Sequence, residues 1–272
     1  MNLTETIKKL AMEHGMALVG IAPISRFSNV PDGRKPEVIL PGCKSVVVFG
    51  QAVPKGVIAV KKAVLDGTAK SDALDSIYGR YGRNGISTIE LMAVSYTLAT
   101  YLERTANAPS MPMMVGSWAF GRPFSLRHAA VAAGLGKFGI NKAVITEKYG
   151  PRIRWGAILT QAELDYDEML PDALCLCAGR EACGKCLSVC PTNALKSENM
   201  ISFDMDGHQV SYIDVDLMAC KVGCMDLETA PHPTVEEVQA EIDRKGYDPG
   251  DMLIPPTWKC DRCLIYCPAG ER

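Results

Sequence analysis

No apolar run in the sequence approaches the roughly 20 residues that a bilayer-spanning helix needs, so no membrane segment is expected. Met1 to Thr6 shows neither a secretory leader's apolar stretch nor a twin-Arg pair, and the expected setting is a reducing cytoplasm. Excess charge of one sign is missing too. The 29 Lys and Arg are scattered among 31 Asp and Glu for a formal net charge of −2, which leaves no basic face for nucleic acid. Cysteine is almost missing from the first 170 residues. Cys43 stands alone there, as a small buried side chain rather than a ligand, and the other ten of the 11 follow. That asymmetry divides the chain into 1–170 and 171–272. With 47% hydrophobic residues, both parts can bury cores.

What the second part does contain is a repeated phrase. Cys183-x2-Cys186-x3-Cys190-Pro191 recurs as Cys260-x2-Cys263-x3-Cys267-Pro268. In ferredoxin domains with two clusters, the Cys before the Pro crosses to the other cluster, so each run needs one further thiolate. Cys175 and Cys177 precede the first run, and Cys220 and Cys224 lie between the two. The most economical assignment gives Cys177, Cys183, Cys186 and Cys267 to one 4Fe-4S cluster, and Cys190, Cys220, Cys260 and Cys263 to the other. Cys175 can replace Cys177, and Cys224 can replace Cys220. Disulfide frameworks belong to small secreted chains, and zinc knuckles lack the x3-C-P tail, so both compete poorly, as does chance. Oxygen-labile clusters of this kind would suit an anaerobe.

The first part alternates helix and strand signals. Asn2 to Gly15 is expected to be an amphipathic helix ending at Gly15, with Ile7, Leu10 and Ala11 on one face. Met16 to Ile21 and the β-branched Ser45 to Phe49 read as strands, joined by a connection punctuated with Pro and Gly. Val53 to Leu65 is ambiguous, and Ile86 to Ala106 has helical periodicity. Just ahead of it, Tyr78, Arg80, Tyr81 and Arg83 form a Gly-broken stretch. It either lines a pocket or is a polar loop with packed rings.

The most informative stretch of this part runs from Ser125 to Thr160. It contains a literal G-x-G-x-x-G at Gly134, Gly136 and Gly139. That motif binds dinucleotides only after a strand and ahead of a helix, whereas here it closes the Ala-rich helix Leu126 to Ala133. The glycines instead permit positive φ or a close approach of backbone, either to a flat cofactor or to a neighbouring strand.

Taken in order, the opening helix-Gly-strand, the SLRHAAVAAGLGKFGINKAVITEKYGPRIRWGAILT run and the two C-x3-C-P motifs resemble the epoxyqueuosine reductase and reductive dehalogenase superfamily over nearly the whole chain. The resemblance implies an α/β (α+β) fold, with a nitroreductase-like cobamide-binding module in 1–170 and a C-terminal ferredoxin-like domain holding two 4Fe-4S clusters. Electrons would pass through the clusters to a cobamide (cobalamin), with FMN as the alternative that the nitroreductase likeness leaves open. A pure electron-transfer protein is the third reading. By position, Gly134, Leu135, Gly136, Lys137, Phe138, Gly139, Ile140 and Asn141 would approach the corrin, with Ala157 and Thr160 nearby. The same likeness favours Cys220, because Asp216 and Cys220 match the spacing of the family's isolated ligand.

Epoxyqueuosine reductases carry an Asp shortly before the Gly-rich block as proposed proton donor, yet Gly116 to Leu126 here has no Asp or Glu. Queuosine chemistry and nucleic acid are therefore not expected, nor are the dehalogenases' leader and long insertions. A compact, divergent member is expected, acting on a small-molecule substrate with a reduced ferredoxin or flavodoxin as electron donor. His128, Tyr78 and Tyr81 are the candidate proton donors.

The crossed ligation has a direct consequence. Cys267→Ala is expected to damage the cluster held by Cys183 and Cys186, with a spectrum resembling that of Cys186→Ala. Electron paramagnetic resonance of the anaerobic variants checks this, and a match to Cys263→Ala instead would mean that the ligands are local.

Overall fold

Asn2 opens the first helix by accepting the Glu5 N–H at 2.8 Å while Glu5 reaches back to the Asn2 N–H, a capping box that sets the start of α1 (Leu3–Glu13). The computed structural model describes residues 2–31, 35–69, 72–83, 85–113, 124–171, 183–229, 233–246 and 259–270. After α1 come β1 (Leu18–Pro23), α2 (Pro36–Ile39), β2 (Ser45–Ala52), α3 (Lys55–Leu65) and α4 (Asp72–Tyr78), which runs into a π turn, Gly79–Arg83. Next are α5 (Ile86–Ala106), β3 (Ser110–Met113), α6 (Leu126–Ala132), β4 (Lys137–Phe138), β5 (Val144–Ile145) and β6 (Ile153–Thr160). The cysteine-bearing part follows with α7 (Lys185–Ser188), β7 (Met200–Met205), β8 (His208–Ile213), α8 (Leu217–Met225), α9 (Val235–Arg244) and α10 (Arg262–Ile265).

Four strands form the main sheet in the order β1-β2-β6-β3, and every neighbouring pair is antiparallel. The fold is therefore the α+β form of the mixed class. Alternation along β2 splits its apolar side chains between two faces: Val46 and Val48 point to one core, Val47 and Phe49 to the other. The Val47 side is covered by α1 and α5. Leu91, Val94, Leu98 and Leu102 of α5 recur at helical spacing and all are buried there. The Val46 side is covered by α6 and the β7–β8 hairpin, which contributes Met205, Val210 and Tyr212 to the same core as Ala129 and Phe138. That core crosses position 170, so the cysteine-bearing part is built onto the main sheet.

Two expected boundaries shift for local reasons. Met16 donates its N–H to Ala11 O and so closes α1, which leaves β1 to begin at Leu18. The ambiguous Val53 to Leu65 becomes a helix once Pro54 has set its N-terminus. No described helix is long and apolar enough to cross a membrane.

Candidate iron-sulfur centre

The repeated cysteine phrase is also a repeated conformation. Gly184, after Cys183, has φ 43, and Asp261, after Cys260, has φ 72. Each caps a four-residue helix carrying the second cysteine of its run: α7 with Cys186 and α10 with Cys263. The backbone hydrogen bonds correspond one for one. Leu187 and Ser188 donate to Gly184 O, as Leu264 and Ile265 donate to Asp261 O; Val189 donates to Lys185 O, as Tyr266 does to Arg262 O. The two short helices pack against each other.

Helix α8 brings further thiols to the second run. Asp216 caps it by accepting the Ala219 N–H at 2.9 Å, which places Cys220 in the first turn and Cys224 one turn on. Their sulfurs are 3.9 Å apart, and Cys224 also meets Cys260. Hydrogen bonding to Cys224 holds the Cys220 thiol below its ordinary range and brings Cys260 down to about 7, while Cys224 itself is pushed up. Cys220 and Cys260 are thus poised toward the thiolate, the form that binds metal. Burial pushes Cys263 up.

The exit of the first run reaches the same helix. A Cβ on Gly223 of α8 would lie 2.9 Å from Thr192, so Gly is required where the Cys190–Thr192 turn packs. Cys190 Sγ accepts the Ala194 N–H at 3.3 Å. Cys267, in contrast, is buried with Ala143, Ile145 and Ala269, away from the thiols around α8. Arg152 pins that end of the chain by donating to the carbonyls of Leu264, Cys267 and Ala269. Cys183 is exposed and Cys186 half-buried; Cys175 and Cys177 lie outside the described residues.

This donor set fits iron-sulfur clusters. No three His, Cys, Asp or Glu side chains among the described residues converge as they would on a single ion. A cubane's ligands are instead spread around a cluster, and Cys-x2-Cys loops with a third Cys before a Pro are the usual protein contribution. When bound, the clusters would supply one-electron transfer.

The Gly-rich block tells a different story. Gly134 alone of the three glycines has positive φ, at 70, just after α6. A Cβ there would strike Glu168 O; one on Gly136 would lie 2.7 Å from Ile145 O and Val144 Cγ1; one on Gly139 would meet Asn141 and Ile145. On the side where a Cβ would lie, all three glycines meet protein. Leu135 and Phe138 pack in the core, and the Lys137–Phe138 strand pairs with Val144–Ile145. Ile140 O accepts from Ile213 N, and Asn141 donates to Cys263 O at 3.4 Å. Ala157 and Thr160 are wholly buried in β6, where Thr160 Oγ1 meets Ser110 Oγ at 2.8 Å. Among the described residues, the positions expected to approach a corrin make these contacts with neighbouring protein, and Gly136–Phe138 also line a surface depression. This shallow depression, open to solvent, lies between Gly136–Phe138 and His208–Ser211.

The three candidate proton donors are not brought together. His128 is buried, with Nδ1 at 2.5 Å from Ser125 Oγ, Nε2 at 2.9 Å from Tyr212 Oη and the Phe138 ring against its face. Burial, with Lys142 and Arg127 nearby, lowers its pKa to about 3, which favours the neutral imidazole. Tyr78 is buried in another core, donating to Asp261 at 2.8 Å, with its pKa raised well above the ordinary tyrosine value. Tyr81 is half exposed. Most of Gly116 to Leu126 lies outside the described residues. The sequence reading missed the role of Asp261, although an Asp where the other run has Gly was visible as an asymmetry.

Mixed helix and sheet carrying a duplicated ferredoxin-type cysteine loop define an α+β fold with a candidate iron-sulfur centre. Within that class the chain resembles the epoxyqueuosine reductase and reductive dehalogenase superfamily in both sequence and fold. It is 27% identical over 183 residues to an epoxyqueuosine reductase of Gloeobacter violaceus, covering 66% of this chain and 50% of that one. The structure of an epoxyqueuosine reductase with a tRNA-Tyr stem loop matches at TM-score 0.62 and 19% identity over 98% of this chain and 65% of that one. A reductive dehalogenase described as supporting B12-dependent dehalogenation matches at TM-score 0.56 and 16% identity, covering 93% and 38%. No family model matches the chain. It spans about half the length of the curated reductase it matches.

Because Gly136 faces β5, Gly136→Ala is expected to cost about 1–3 kcal/mol of stability by overpacking, with or without added cobamide. Thermal unfolding beside a cobamide titration checks this; lost binding at unchanged stability would restore the block as a cofactor floor. His128 gives a pH signature. Its folded pKa of about 3 lies below the ordinary 6.5, so the unfolded chain binds the extra proton between those values and stability falls as pH drops below 6.5. The loss is about 1.4 kcal/mol per pH unit. His128→Gln should flatten the slope, as measured by urea unfolding of both proteins across that range.

Proposed function

We propose that this protein is an iron-sulfur oxidoreductase that relays single electrons through two 4Fe-4S clusters to a bound acceptor. The observation that carries this reading is the doubled Cys-αL-helix loop at Cys183–Ser188 and Cys260–Ile265, two copies of one ligand-bearing conformation whose short helices lie next to each other. The packing of the Cys190 turn on α8 supports its service to the second site with Cys220, Cys260 and Cys263. The Asp216–Cys220 spacing shared with the resembled family supports Cys220 as the ligand there, with Cys224 beside it at 3.9 Å. Cys177, Cys183, Cys186 and Cys267 make up the first site in this assignment.

The protein's own residues do three things in this scheme. The cysteines hold the clusters; Arg152 and Asn141 fix the second run against the main body; α3, α4 and the Gly79–Arg83 turn shield its far side from water. The relatives bring a cobamide as the candidate acceptor, and a small molecule as substrate. The inward-facing glycines favour a second reading, an electron-transfer protein with no such acceptor.

Anaerobically purified protein, reconstituted with iron and sulfide, is expected to hold roughly eight iron and eight sulfide per chain on the two-cluster spacing. Four iron would end the two-cluster reading. Cobalt near one per chain after incubation with cobamide supports the reductase, flavin bands support an FMN enzyme, and iron-sulfur absorption alone supports the electron carrier.

A further inference from the structure

Helix α8 brings one thiol more to the second site than a cubane can use. Cys220 and Cys224 stand four residues apart, on one face of the helix a turn from each other, and their sulfurs are 3.9 Å apart. Cys224 also meets the Cys260 side chain. In the two-cluster assignment this site takes Cys190, Cys220, Cys260 and Cys263. Cys224 is then a further thiol, in contact with two of the ligands.

Backbone contacts fix that placement as well. Cys224 O accepts the Lys259 N–H at 2.9 Å, which ties the last turn of α8 to the residue ahead of Cys260. Gly223, its neighbour, packs so closely on the exit of the first run that a Cβ would lie 2.9 Å from Thr192 Cγ2. Burial differs among the three thiols. Cys224 is 5% exposed and sits among Tyr78, Met225, Val238 and Ile265, whereas Cys220 and Cys260 are half-buried at the edge of that cluster.

The ligands of one cubane are spread around it, so two sulfurs in contact do not both bind it, and the Asp216–Cys220 spacing favours Cys220. A sulfur bound to iron has given up its proton and can only accept. A thiol enclosed by apolar side chains keeps its proton, because a thiolate there is poorly solvated. Of these three sulfurs, Cys224 is therefore the one with an S–H to donate.

We infer that Cys224 is a non-ligating thiol that donates its S–H to a ligand sulfur of the second cluster, Cys220 with Cys260 also in reach, and thereby raises that cluster's reduction potential. This rests on the two-cluster reading with Cys220 as ligand. A hydrogen bond draws electron density from a ligand sulfur and so stabilises the reduced, more negative cluster over the oxidised one. Hydrogen bonds to the sulfurs are among the protein's levers on potential.

The test uses full-length protein reconstituted anaerobically, with iron counted and each cluster followed by electron paramagnetic resonance through a dithionite titration. Cys224→Ala should keep roughly eight iron per chain. One cluster should become about tenfold harder to reduce, a fall of about 59 mV for one electron, with the other unmoved. Cys224→Ser retains a donor and should restore most of the shift; Cys224→Val, apolar and of similar size, should not. Electron-nuclear double resonance of the reduced wild type should show a deuterium-exchangeable proton that is missing from Cys224→Ala, which loosened packing alone would not cause. Loss of four iron from Cys224→Ala would make Cys224 a ligand and overturn the inference, as would an unmoved potential or equal shifts in the Ser and Val variants. A wild-type protein holding only four iron would remove the two-cluster reading and the inference with it.

Discussion

A carboxylate buried between two cysteines governs how the parts of this protein meet. Asp261 gives up favourable backbone geometry to hold Tyr78 and two guanidiniums, and no member of that group is tolerable alone in a dry interior. Removing the carboxylate would take away the ion-pair partner that Arg83 and Arg154 share. The π turn at Gly79–Arg83, the end of β6 at Arg154 and the second cysteine loop are consequently fixed as one unit. Tyr78 adds an apolar contribution, its ring packing with Cys224, Val238 and Ile265 in the same cluster.

The two cysteine loops show one backbone plan used in two ways. Gly184 adopts the left-handed conformation at no steric cost and leaves its loop open, beside the exposed Cys183. Asp261 adopts it at a cost that its ion pairs offset, and its loop is enclosed by α3, α4 and α8. Exposure and surrounding charge both act on cluster potential, so clusters held on the two loops would differ. The inequivalence comes from what the main body lays against each copy.

The Gly-rich block is the joint on the opposite side. Gly134, Gly136 and Gly139 let chain segments cross at distances a Cβ would forbid, which brings Glu168, Ile145 and Asn141 into contact and lets Asn141 reach Cys263. Arg26 reinforces the joint, donating to Ala132 O and Asp167 O and pairing with Asp206 at the tip of the β7–β8 hairpin. His128 and Tyr212 fill the space beneath as a hydrogen-bonded aromatic pair. A motif that reads as a ligand loop is here packed against its own protein.

Much of this was legible in the residues. Periodicity placed α5 at Ile86 to Ala106, β-branching placed β2, and the C-x2-C-x3-C-P spacing marked both cysteine loops, because each depends on neighbours within a few positions. The helix-closing position of Gly134 was also legible, and its positive φ just after α6 fits it. Tertiary structure alone decided which face of the Gly block meets protein, that His128 is neutral and sealed, that Tyr78 reaches Asp261 across 183 positions, and that Cys224 sits beside Cys260. Those outcomes depend on burial and on charges brought together from distant segments. Local spacing carries no information about the dielectric or the partners that a side chain will meet once the sheet and the cysteine loops have closed on it.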